Sequence, residues 1–215
     1  MAYSALVQLF QKPPSDAEQL RRALRAFAAS GVDLSAPTDH ASGKTPFQIV
    51  AGTGLGDLGM RFEQSARLSF VALEELVSMG VDMEFAHPKT GARAIHYAAK
   101  YSTVPMIERL LELGVNPSAL DDAGESALHY CLSRLDFDSG RLGVFCALLK
   151  GGADPTVRSP ANKTLLQLVR GDDYKREVRS ALLEWRIQSA FGASQDELKS
   201  SFRVTQRATS GPTLL

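Results

Sequence analysis

Gly91-Ala92-Arg93-Ala94-Ile95-His96-Tyr97-Ala98-Ala99 opens a segment that closes on Leu110-Leu111-Glu112-Leu113-Gly114-Val115-Asn116-Pro117. The next segment starts over with Gly124-Glu125-Ser126-Ala127-Leu128-His129-Tyr130-Cys131. Gly91 and Gly124 are 33 residues apart. A self-similar period of that size marks stacked units, each burying its apolar face on its neighbours.

A second marker runs through the chain. Gly31-Val32-Asp33-Leu34, Gly80-Val81-Asp82-Met83, Gly114-Val115-Asn116-Pro117 and Gly152-Ala153-Asp154-Pro155 each follow an apolar pair: Phe27-Ala28, Leu76-Val77, Leu110-Leu111 and Leu148-Leu149. The successive spacings are 49, 34 and 38 residues. Two exceed the period, so two units carry insertions, at roughly 53–67 and 136–141. The first begins Gly52-Thr53-Gly54-Leu55-Gly56-Asp57-Leu58-Gly59, which continues a helix only at a cost. The second helix of that unit is then expected over about Leu68 to Met79.

The 33-residue period with a Leu/Ile-His-x-Ala core resembles the ankyrin repeat. Gly43-Lys44-Thr45-Pro46-Phe47-Gln48 carries the family's Thr-Pro pair, and proline suits a first helical turn because its missing N–H costs nothing there. Asn162-Lys163-Thr164-Leu165-Leu166-Gln167 opens a fifth unit. Arg93 and Ser126 stand where the family has Thr; Ala94, Ala127 and Leu165 stand where it has Pro. The resemblance spans about residues 31–190. It implies an all-α ankyrin-repeat solenoid of about five helix pairs, with short hairpin loops and capping helices at both ends. The expected division is an N-terminal degenerate repeat at 1–38, then repeats at about 39–86, 87–119, 120–157 and 158–192. A short capping helix and a disordered tail are expected over 193–215.

Within the first unit, Pro13-Pro14 separates Tyr3–Phe10 from a helix opened by a capping box, Ser15-Asp16-Ala17-Glu18, and stopped at Gly31. In the last unit Arg186 replaces the marker glycine, so its second helix, from about Tyr174, runs on to a stop at Gly192. Ser194-Gln195-Asp196-Glu197 would open a separate helix to Phe202.

Charge is balanced, with 24 basic and 24 acidic residues, which gives no bulk attraction to nucleic acid or anionic membrane. No apolar run approaches the roughly 20 residues that span a bilayer. Met1–Phe10 lacks a preceding Lys or Arg and a small-residue cleavage pattern, so it is read as a helix of the fold and the chain as cytoplasmic. Cys131 and Cys146 lack Cys-x-x-Cys spacing and are read as two buried, reduced thiols.

His96 and His129 occupy the same place in adjacent units. The resemblance makes them structural groups that bond to the hairpin loop and a nearby hydroxyl. Helices packed at about 8–10 Å leave two such imidazoles too far apart to share a zinc bound at about 2 Å. Gly54-Leu55-Gly56-Asp57-Leu58-Gly59 fits Gly-x-Gly-x-x-Gly but follows a helix, whereas a dinucleotide turn follows a strand. No catalytic group, metal site or cofactor is expected.

The resemblance implies a non-enzymatic protein-binding module, an adaptor, inhibitor or effector, that takes a protein partner on the concave groove formed by hairpin loops and first helices. An immunity or regulatory subunit dedicated to one toxin or enzyme is the alternative; a nucleic-acid binder or an enzyme is less favoured. The register names the groove residues: Lys44, Lys89, Asp122, Glu125 and Lys163 on hairpins, and Lys100, Tyr101 and Arg134 at ends of first helices. Tyr101 is the expected anchor, since aromatics and arginine carry most interface energy. The first insertion would set Leu55, Leu58, Met60 and Phe62 beside Tyr101 or fold them back onto the stack. Neither membrane, nucleic acid nor small-molecule substrate is expected as a partner.

Overall fold

The structure, a computed structural model, describes residues 2–38, 43–55, 62–133 and 139–209. Ten helices occupy them: α1 Ala2–Gln11, α2 Ala17–Ala29, α3 Pro46–Thr53, α4 Phe62–Ser78, α5 Ala94–Tyr101, α6 Val104–Glu112, α7 Ala127–Leu132, α8 Ser139–Lys150, α9 Leu165–Leu168 and α10 Asp172–Thr209. Sequential helices pack as pairs, α3 with α4, α5 with α6, α7 with α8 and α9 with α10, behind α1 and α2. Among the described residues there is no strand, only an isolated bridge between Leu120 and Ser126. The fold is the all-α solenoid that the period predicts.

First helices pack in one layer, α3 on α5, α5 on α7 and α7 on α9; second helices pack in the other, α2 on α4, α4 on α6, α6 on α8 and α8 on α10. The repeating apolar positions supply the core between them. Leu76, Leu110 and Leu148 are fully buried, as are Phe47, Ile95 and Leu128. Each fully buried side chain of this size is worth about 1.5–3 kcal/mol of transfer free energy.

The glycine marker has a backbone reason. Gly31, Gly80, Gly114 and Gly152 have φ between 78° and 93° and stop the second helices in the left-handed region. The Asp/Asn that follows makes the turn. Asp33, Asp82, Asn116 and Asp154 each accept, on Oδ1, the N–H two residues on: Ser35 at 2.8 Å, Glu84 at 2.9 Å, Ser118 at 2.9 Å and Thr156 at 2.8 Å. The residue whose N–H is bonded then reaches the next turn. Ser35 Oγ accepts Asp82 N–H (3.3 Å), Glu84 Oε1 accepts Asn116 N–H (2.7 Å), and Ser118 Oγ accepts Asp154 N–H (3.1 Å). One marker thus stops a helix, turns the chain and ties each unit to the next.

The second-helix surface is laced by ions. Arg25 bonds Glu75 at 2.6 Å, Arg21 lies 3.9 Å from Glu74, and Arg109 pairs with both Glu74 and Glu112. These pairs bridge α2, α4 and α6.

Several boundaries depart from the sequence expectation. Asp16, not Ser15, caps α2, accepting Gln19 N–H on its carboxylate. α4 starts at Phe62, ahead of the expected Leu68, so residues 62–67 of the first insertion lengthen a helix. Leu55 folds back: it is 1% exposed, its N–H donates to Ser69 Oγ at 2.8 Å, and its carbonyl accepts Ser65 Oγ. Leu55 therefore supplies core and no partner surface. Leu58 and Met60 lie outside the described residues. Gly54 ends α3, with its N–H on Val50 O, and no strand precedes it. Of the second insertion, expected over 136–141, residues 136–138 lie outside the described residues and residues 139–141 open α8. At the far end, α10 does not stop at Gly192. A helix-interior glycine costs only about 1 kcal/mol relative to alanine, and one continuous helix runs through to Thr209. The tail at 210–215, expected to be disordered, is outside the described residues.

Candidate functional site

The first helices are held in register by the third residue of each. In α3, Gln48 Oε1 accepts Thr45 N–H, and Nε2 donates to Ala92 O at 3.2 Å and Phe85 O at 2.8 Å. In α5, His96 does the same with an imidazole: Nδ1 accepts Arg93 N–H at 3.0 Å, so Nε2 carries the proton that faces Glu125 O at 3.1 Å. Ala92 and Glu125 are the same repeat position, so each side chain staples its helix to the following hairpin. Burial pushes His96 below the ordinary histidine pKa, only partly offset by the Glu125 carbonyl. His129 accepts Ser126 N–H (3.1 Å) and meets Ser126 Oγ (2.8 Å) on Nδ1, but its buried Nε2 finds no partner among the described residues. Lys163 O, the corresponding carbonyl of the last hairpin, accepts Ser159 N–H just as Ala92 O and Glu125 O accept His87 and Asp121 N–H, but without the added side-chain bond. The His96 reading holds for the hairpin loop only, since Arg93 offers no hydroxyl, and the His129 reading for the hydroxyl only. Arg93, in place of Thr, gains a different role: Nε donates to Glu84 O and Nη1 to Leu120 O, tying two neighbouring turns.

The residue after the staple is half-buried in each first helix: Ile49, Tyr97, Tyr130 and Leu168. Gly52 permits the close approach of α3 to α5, since a Cβ there would stand 3.0 Å from Tyr97 Cβ. Lys44 Nζ lies 4.4 Å from the Tyr97 ring centre. Lys100 Nζ lies 5.3 Å from the Tyr101 ring and 5.9 Å from that of Tyr130. Both lysines are within the roughly 6 Å at which a ring face attracts a cation. Tyr130 OH donates to Asp121 Oδ2 at 2.8 Å, and burial together with that carboxylate holds the phenol above its ordinary pKa. Asp121 also accepts the N–H of Ala123 and Glu125, closing the hairpin. Burial and the Asp121 charge raise the Glu125 carboxyl, opposed by Lys100. The hairpins touch tip to tip: Asp122 N–H donates to Thr90 O, and a Cβ on Gly91 (φ 67°) would fall 2.2 Å from Asp122 Oδ1.

Of the residues named from sequence, Lys100, Tyr101 and Glu125 come together around Tyr130. Lys44 sits one unit away on Tyr97. Tyr101 is 46% exposed, an unusual degree for an aromatic. Lys89, Asp122 and Lys163 are exposed on hairpin tips, outside this cluster. Arg134 lies outside the described residues. Tyr97, Tyr130 and Asp121 are members that the sequence reading missed. The signal was present, since both tyrosines directly follow a staple histidine.

The thiols need one correction. Cys131 is buried and donates to Arg141 O at 3.3 Å, whereas Cys146 is half-exposed on α8. It faces a crevice between α8 and α10 lined by Leu149, Lys150, Ala181, Glu184, Trp185 and Gln188. Among the described residues no group of three or more His, Cys, Asp or Glu is placed to hold a metal ion, and no helix is long and apolar enough to cross a membrane.

The family model for ankyrin repeats (many copies) matches residues 95–142, the stretch that carries both staple histidines and the tyrosine cluster. Residues 95–142 are ankyrin repeats. Among curated relatives, the Neurogenic locus Notch protein of Drosophila melanogaster is 29% identical over 112 residues, 52% of this chain and 4% of the relative. NF-kappa-B inhibitor zeta of Homo sapiens is 31% identical over 118 residues, 53% of this chain and 16% of the relative. Neurogenic locus notch homolog protein 2 of Homo sapiens is 29% identical over 109 residues, 50% of this chain and 4% of the relative. The chain therefore matches only a small part of each relative's length, and it shares ankyrin repeats with them.

Proposed function

We propose that this ankyrin array is a non-enzymatic protein-binding module, an adaptor, inhibitor or effector, which grips its partner on the concave groove. The observation that carries the reading is the tyrosine row. Tyr97, Tyr101 and Tyr130 present ring surface on adjacent units, with Lys44 and Lys100 poised over them and Asp121 and Glu125 at the hairpin side. Rigid amphipathic rings lose little entropy on binding and anchor interfaces well. The lysines add donors for an acidic or carbonyl-rich segment of the partner. The printed name of NF-kappa-B inhibitor zeta accords with a module of this kind, since an inhibitor acts on another protein.

The test is capture with the full chain as bait, followed by titration of the recovered protein against wild type and Tyr101→Ala/Lys100→Ala. Both side chains lie outside the core, so helicity should not change. A loss of about 2 kcal/mol or more in binding is expected of a hot-spot pair. Unchanged affinity with the same partner would remove the groove from the account.

A further inference from the structure

Leu183 occupies in α10 the repeat position that Leu149 holds in α8 and Leu111 in α6. In the earlier units the next second helix covers it. Leu111 packs against Gly151, where a Cβ would fall 2.4 Å from Leu111 Cδ1, and Leu149 is 6% exposed beneath α10. Nothing among the described residues covers α10 in turn. Leu183 is 50% exposed and Ile187, one turn along, is 57% exposed. The helix runs straight on to Thr209 instead of turning back into another unit. In the sequence, Phe191, Leu198 and Phe202 continue the spacing of Leu183 and Ile187.

The charges flanking this stripe are sorted, while Arg176, on its line and paired with Asp173, bounds it on the N-terminal side. At about 3.6 residues per turn, Lys175, Arg179 and Arg186 fall along one flank, and Asp173, Glu177 and Glu184 along the other. Among the described residues Arg179, Arg186, Glu177 and Glu184 make no ion pair. The core face of α10, with Tyr174, Val178, Leu182 and Trp185, lies opposite the stripe.

We propose that a second copy of this chain covers the stripe, with two α10 helices packed side by side and parallel. This surface is separate from the groove. In a parallel pair the basic flank of each helix meets the acidic flank of the other on both sides of the two-fold axis; in an antiparallel pair like charges would meet. Because the core faces point away from the axis, the two repeat stacks extend outward without collision. A copy of the same helix fits the stripe in length, apolar spacing and charge, which a partner of a single charge sign does not.

Sedimentation velocity on the full chain at roughly 50 μM, enough to populate a complex of micromolar Kd, is the first arm. Wild type is expected at twice 23.2 kDa, and Leu183→Glu/Ile187→Glu at 23.2 kDa with unchanged far-UV circular dichroism. Arg179→Glu/Arg186→Glu should weaken the dimer at least tenfold, and adding Glu177→Arg/Glu184→Arg should restore it. Ser180→Cys, on the stripe of a Cys146→Ser chain, should cross-link copy to copy under oxidation only if the helices run parallel. A wild type that sediments as monomer overturns the proposal, as does a dimer that survives Leu183→Glu/Ile187→Glu. Failure to cross-link, with the dimer intact, overturns the parallel arrangement.

Discussion

Single residues carry much of the register. Gln48 and His96 make the same two-ended staple with different chemistry, which predicts that His96→Gln folds and keeps the bond to Glu125 O. The two differ in pH response. Burial lowers the His96 and His129 pKa values below the unfolded value of 6.5, so the unfolded chain binds protons first as pH falls. The sign follows: stability is full above pH 6.5 and drains as pH drops through that value toward the folded pKa values. Urea midpoints should fall on acidification below about pH 6.5, and the fall should shrink in His96→Gln/His129→Gln. An equal slope in both chains would mean that carboxylates alone set the response. The thiols give a second prediction at this scale. Burial also holds the Cys146 thiol above its ordinary pKa, so native protein should label slowly, at one thiol, and Cys146→Ser should abolish that labelling. Cys131 should react only once denaturant is added; two equivalents taken up by the native chain would contradict its packing.

At the scale of the element, register is testable by comparing sites that the sequence aligns. Leu148 is fully buried between α7, α8 and their neighbours, whereas Leu183 is half-exposed. Leu148→Ala should cost about 2–5 kcal/mol of stability in denaturant titration. Leu183→Ala, measured in dilute monomer, should stay within about 0.5 kcal/mol. Equal losses at the two sites would mean that the faces of the second helices are misassigned. The period made Leu76, Leu110 and Leu148 legible as core, because stacking repeats one environment unit after unit. Where the environment does not repeat, the sequence misled. Ser15 and Asp16 both suit an N-cap, and only the approach of the chain selects Asp16. Leu55 lies in a glycine-rich run with no period, and its backbone is held by Ser69 and by Ser65, the latter on a helix extension that no repeat template contains. Gly192 looked like a stop because glycines stop the other second helices, but those stops also use an Asp/Asn turn two residues on, where Ser194 stands, and serine makes such a turn more weakly.

The whole molecule is a graded stack. Its units are tied by side-chain staples, by the turn-to-turn hydrogen bonds from Ser35 to Asp154, and by ion pairs from α2 to α6. These ties thin toward the last unit: His129 Nε2 has no hairpin carbonyl, Thr156 meets no further turn, and α9 is a single turn. Local opening should therefore start at α9 and α10, and amide exchange there should be the fastest among the buried helices. The proposed groove lies on the better-tied part, across α3, α5 and α7. The repeat register places its hairpin residues, but not their grouping. Lys100 meets Tyr101 and Tyr130 only because adjacent units bring their first helices side by side, and Asp121 joins through the Tyr130 hydroxyl. The most direct measurement of the central claim is amide hydrogen exchange on the full chain with and without its captured partner. Protection is expected in residues 87–101 and 120–132, the hairpins and first helices that carry Tyr97, Tyr101 and Tyr130. Protection confined to α4, α6 and α8, with those segments unchanged, would contradict it.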